Sequence, residues 1–138
     1  MVMRRSFHMY TCTEDSKELF PQNFSGEHNV QLTEPIHLEG KWSCGLVEFQ
    51  LAGSPSEPVY VCCDLVREST TGPFNIPILR MVHRKTTEFD QVTYVPLKQQ
   101  DFHTIQVFIR TLENLPLPQN HGVNQGKSFC TLHFKQDV

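Results

Sequence analysis

Apolar residues recur at every second position through most of this chain, and that period constrains its fold more than any other feature. Side chains that alternate in this way fall on opposite faces of an extended strand, not along one stripe of a helix. The sequence also holds nine prolines and seven glycines, spread along its length. They leave few windows long enough for a helix, because proline removes a backbone donor and clashes with the preceding turn. The expected fold is therefore all-β.

About eight segments carry the pattern. In residues 7–12, Phe7, Met9 and Thr11 face one way and His8, Tyr10 and Cys12 the other. Residues 28–32 alternate weakly, with Val30 and Leu32 inward, and Pro35 follows. Residues 41–51 form the strongest segment: Trp42, Cys44 and Leu46 share one face, then Val47, Phe49 and Leu51 share the next. The phase slips by one residue near Gly45 and Leu46. A β-bulge explains such a slip, and so does a strand buried on both faces. Residues 59–66 set Val59, Val61, Cys63 and Leu65 against Tyr60, Cys62, Asp64 and Val66. Residues 76–83 hold Pro77 near their start, and residues 92–97 are broken by Pro96. Residues 102–111 turn Ile105, Val107 and Ile109 inward, with Gln106 and Arg110 outward. Residues 128–135 set Phe129, Thr131 and His133 against Cys130, Leu132 and Phe134. Polar, turn-rich stretches at 13–27, 52–58, 70–73 and 115–126 separate these segments.

This spacing predicts a single β-sandwich, jelly-roll-like, of about eight short antiparallel strands. Residues 1–23 are an N-terminal arm or a first strand plus loop, and residues 24–138 are the sandwich. The expected core anchors are Trp42, Leu46, Phe49, Val61, Ile105, Val107 and Leu132.

Length and charge exclude several classes. The chain has 138 residues and a formal net charge of −3. That length suits one domain and is short for a Rossmann enzyme or a TIM barrel. No run approaches the roughly 20 apolar residues of a membrane span. There is no basic excess, so nucleic acid is not expected as the main partner. Arg4 and Arg5 are followed by no apolar stretch of signal-peptide length, and Val2 does not fit N-myristoylation. The five cysteines are odd in number and irregular in spacing, which fits reduced thiols in a cytosolic or nuclear environment.

No catalytic constellation emerges. Seven histidines are scattered singly, without H-x-x-x-H or C-x-x-C, so no metal site is expected. Cys62 and Cys63 are neighbours on one strand and point to opposite faces. Most cysteines sit in apolar runs, where a thiol is a small hydrophobe rather than a nucleophile. Asp64 beside Arg67 reads as a structural ion pair or turn bond. No cofactor motif is present. What remains is a binding module or an assembly protein.

Several stretches taken in order carry a likeness. They are Phe20-Pro-Gln-Asn-Phe, the block from Leu32-Thr-Glu-Pro-Ile through Gly40-Lys-Trp-Ser-Cys-Gly-Leu-Val-Glu-Phe, and Val59-Tyr-Val-Cys-Cys-Asp-Leu-Val. Tyr94-Val-Pro-Leu, Phe102-His-Thr-Ile-Gln-Val-Phe-Ile-Arg and Thr131-Leu-His-Phe-Lys complete the set. Together they resemble short β-rich proteins encoded by Polinton/Maverick-type elements and by related adintovirus-like and adenovirus-like viruses. The likeness runs from about Phe20 to Lys135. The chain departs from that pattern at Ser43-Cys44, where Glu-Val is usual, at residues 52–54, and in the loop 115–126.

The resemblance implies a non-enzymatic virion or assembly role as a capsid, cement or vertex component, without cofactor. Its partners would be other virion proteins or further copies of itself in a homo-oligomer. Its place would be the virion, after synthesis in the host cytoplasm and assembly there or in the nucleus. On that reading the interface candidates are the aromatics Phe7, Tyr10 and Phe20, with Arg4 and Arg5. The rival reading is a soluble binding module that recognises a host or cell-surface ligand through loops 52–58, 68–75 and 113–127.

Overall fold

Alternation in sequence becomes burial in space. A computed structural model describes residues 5–14, 16, 18–23, 26–50, 57–83, 89, 91–116 and 128–137. These contain β1 (Ser6–Cys12), β2 (Glu27–His37), β3 (Trp42–Gln50), β4 (Val59–Cys63), β5 (Ser69–Thr71), β6 (Phe74–Ile76), β7 (Ile78–Val82), β8 (Tyr94–Pro96), β9 (Asp101–Arg110) and β10 (Phe129–Gln136). Among the described residues there is no helix. The all-β expectation holds.

One four-stranded sheet has the order β1-β10-β3-β8, and the other β2-β9-β4-β7. All their pairings are antiparallel. The pairing is nested. Setting aside the β5–β6 hairpin, the first sandwich strand pairs with the last, the second with the seventh, the third with the sixth and the fourth with the fifth. The β10–β3 and β9–β4 contacts then join these four pairs into two sheets.

The inner faces of both sheets meet in one apolar core. Cys44, Leu46, Leu132 and Phe134 come from the first sheet, and Val61, Leu79, Ile105 and Val107 from the second. Phe102 and Phe134 stack across the gap with ring centroids 6.1 Å apart. Each fully buried aliphatic or aromatic side chain contributes roughly 1.5–3 kcal/mol. All seven expected anchors are buried: Trp42, Leu46, Phe49, Val61, Ile105, Val107 and Leu132.

The phase slip in β3 is a bulge, displaced from its expected place. Leu46 pairs with Leu132 and Glu48 with Thr131, so Val47 is the extra residue. The two-face reading holds for the first half of the same strand, since Trp42 through Leu46 are all buried. Ser43 Oγ donates to Asp137 Oδ2 at 2.8 Å on the outer side. Gly45 lies beneath Val92 and Tyr94. A Cβ there would stand 2.4 Å from Val92 Cγ1 and 2.9 Å from the Thr93 carbonyl oxygen.

Other boundaries move for local reasons. Residues 59–66 do not stay extended: β4 stops at Cys63, and Asp64 and Leu65 form a turn. Pro77 divides residues 76–83 into β6 and β7, because it cannot continue a ladder. The loop expected at 70–73 is the tip of the β5–β6 hairpin, where Gly72 takes a φ of +58° that favours glycine. Strand β2 runs through Pro35 to His37, with a register jump between Gln31 and Ile36. It is an edge strand, so the missing proline donor costs no ladder bond.

Replacing Gly45 by alanine should destabilise the protein by about 2–3 kcal/mol, because backbone and a packed valine must both move. Thermal unfolding of Gly45→Ala against the parent chain measures this. An unchanged midpoint would show that residues 92–94 do not press on β3 as described.

Candidate functional site

The outer face of the first sheet is a grid set by register. Ser6, Lys135 and Ser43 lie in one row across β1, β10 and β3. His8, His133 and Gly45 form the next, then Tyr10, Thr131 and Glu48, then Cys12, Phe129 and Gln50. Period two puts these residues outward while Cys130, Leu132 and Phe134 of the same β10 point inward.

Aromatic and imidazole rings dominate the middle of this face. His8 and His133 are cross-strand partners with ring centroids 4.5 Å apart. Tyr94 reaches over the space that Gly45 leaves open, and its Oη lies 2.8 Å from His133 Nδ1. Lys135 Nζ sits 3.9 Å above the Tyr94 ring, within cation–π range. Partial burial holds the His133 pKa below its ordinary value, and the charges of His8 and Lys135 lower it further. Towards the other end, Tyr10 is 72% exposed and Phe129 47%. With Glu48, Gln50 and Thr131 they line an open notch of about 380 Å³.

The interface candidates separate. Tyr10 belongs to the grid. Phe7 turns inward instead, stacked on Phe134 at 4.9 Å and tilted against Trp42 at 5.7 Å. Its half-buried ring is a lid on the core, which follows from its parity with Met9 and Thr11. Phe20 is half-buried in a turn, where its N–H donates to the Ser16 carbonyl at 2.8 Å. Arg5 is exposed at the rim of a groove that it shares with His37, Glu39 and Gln136. Arg4 lies outside the described residues, as do 52–56 of the candidate loop 52–58 and 117–127 of the candidate loop 113–127.

Sequence reasoning passed over Glu48, Phe129, His133, Lys135 and Tyr94. Parity had sorted Phe129, Thr131 and His133 onto one face, but it carries no information about which residues stand opposite them. Asn23 was missed too. Its Nδ2 donates to the Asn29 carbonyl and its Oδ1 accepts from the Asn29 N–H, each at 2.9 Å, which clamps the loop onto β2.

Buried polar groups here act in structure. Thr11 Oγ1 lies 2.8 Å from Cys130 Sγ and 3.2 Å from His28 Nε2, a chain that ties the two sheets together. Thr11, His28 and Cys130 are at most 3% exposed. Burial pushes the Cys62 thiol up to about 12 and raises Cys44 and Cys63 as well, which keeps all three protonated. Asp64 Oδ1 accepts the Gln106 N–H at 3.0 Å, and burial raises its pKa. It extends the β4–β9 pairing by one step, a cross-strand bond to β9 in place of the ion pair with Arg67 or the turn bond that the sequence suggested. Among the described residues, no three His, Cys, Asp or Glu side chains converge as metal ligands would.

Compared with known proteins, the chain matches no protein-family profile and no curated sequence.

Two titrations follow from this geometry. Burial lowers the His28 pKa from 6.5 to about 4. Above pH 6.5 the imidazole is neutral folded or unfolded, and the shift has no effect. Between 6.5 and about 4 the unfolded chain binds a proton that the folded chain refuses, so stability falls as pH falls. The loss levels off near about 3 kcal/mol. Denaturant unfolding at a series of pH values reads this slope, and His28→Gln should flatten it; an identical slope in the variant would assign the loss elsewhere. On the outer face, proton NMR should find His133 titrating below its ordinary value, and His8→Asn should move it part of the way back.

Proposed function

We propose that this chain is a non-enzymatic structural or assembly subunit of a viral particle that works through protein–protein contacts. The observation that carries the reading is the nested strand order, first with last through fourth with fifth. We read that order as jelly-roll connectivity. Jelly rolls build capsid and lectin domains and the cupins. Fold alone does not assign function. Two further observations support the choice among these.

The first concerns the interior. Cys44, Leu46, Val61, Ile105, Val107, Leu132 and Phe134 are each at most 1% exposed and fill the space between the sheets. The second is the ordered resemblance of residues 20–135 to proteins of Polinton-type elements and their viral relatives. The aromatic outer face and the edge strand β1 supply surface for a neighbour, whether another virion protein or a second copy.

Analytical ultracentrifugation across concentrations, together with co-sedimentation after co-expression with the capsid protein of such an element, tests the proposal. Self-association or recovery in particles is the expected result. A strict monomer that never enters particles would overturn it.

A further inference from the structure

The notch between Tyr10, Glu48 and Phe129 has a chemistry of its own. Thr131 is its floor, a small residue between two larger ones in the row Tyr10–Thr131–Glu48. Phe129 closes it from the next row, beside Gln50. The Thr131 hydroxyl donates to Glu48 Oε1 at 3.2 Å. Glu48 is exposed, and among the described residues it has no Lys, Arg or His within ion-pair distance. The lysine nearest in the grid, Lys135, is two rows away and sits over Tyr94.

A carboxylate that accepts a hydroxyl hydrogen bond and shares its notch with two aromatic side chains is complementary to a cation that also presents apolar stem. The carboxylate supplies the counter-charge, and the rings attract the cation and cover its methylenes. We infer that this notch receives an arginine or lysine side chain from an extended segment of a partner protein. A bare metal ion does not fit, since one carboxylate and one hydroxyl leave most of its coordination unfilled. The exposed areas of Tyr10 and Phe129 extend beyond the charge, which suits a side chain carried on a polypeptide. The inference rests on the assembly reading only in taking that polypeptide to be a particle protein.

The test is an amide NMR titration of the whole chain with two probes. One is N-acetyl-arginine amide; the other is a short Ser/Gly peptide with one central arginine flanked by valines. Saturable shifts are expected at Glu48, Phe129 and Thr131, with the peptide binding tighter than the amide. Glu48→Gln and Tyr10→Ala should each weaken binding about fivefold without moving the melting temperature, because both side chains are exposed. Absence of saturable shifts overturns the inference, as does equal binding by N-acetyl-norleucine amide or by the Glu48→Gln variant. Spermidine binding as tightly as the peptide overturns the polypeptide assignment. Particle incorporation that survives Glu48→Gln overturns the notch and leaves the assembly reading standing. Probe binding without particle incorporation of the parent chain does the reverse.

Discussion

The inward side of β10 holds the two sheets together. Cys130, Leu132 and Phe134 are buried between β1 and β3 on either side and against the second sheet in front. Phe134 alone contacts the rings of Phe7 and Phe102, one from each sheet. Because side chains alternate, the same strand must project Phe129, Thr131, His133 and Lys135 outward. Core and candidate interface are therefore the two sides of one strand. A register slip of one residue in β10 would empty the core and bury the interface together.

That coupling explains how a small sandwich tolerates polar groups inside. Burial against apolar neighbours supplies most of the stabilisation, so each polar side chain that remains must find a partner. Thr11 does so by bridging Cys130 and His28 across the sheets. Asn23 does so through Asn29. These bonds tie a loop to β2 and one sheet to the other, and burial lowers the His28 pKa. On the outer face, His133, Tyr94, Glu48 and Tyr10 meet solvent.

Much of the sandwich was legible before any coordinates. The parity of Phe7, Met9 and Thr11, and that of Ile105, Val107 and Ile109, named inward faces that the structure keeps. The slip in β3 was legible too, because a phase change in an alternating strand has few causes. Its position was not: the bulge falls at Val47, where the pairing with β10 decides it, and not at the glycine that local flexibility suggested. Gly45 serves a different need, the close approach of Val92 and Tyr94. Phe7 was read as an anchor for a partner because aromatics are enriched at interfaces. Its own parity already pointed it inward, and the rings of Trp42 and Phe134 receive it there.

By itself, the sequence determined the fold class, the approximate place of most sandwich strands, many of their inward residues and the reduced state expected of the cysteines. All of these follow from local periodicity, turn chemistry and composition. The tertiary structure decided what stands beside what: His8 against His133, Tyr94 over Gly45, and Tyr10, Thr131 and Glu48 in one row. Period two assigns a residue to a face but says nothing about its neighbour on the next strand. That neighbour depends on register, and register is fixed only when the whole core closes around β10.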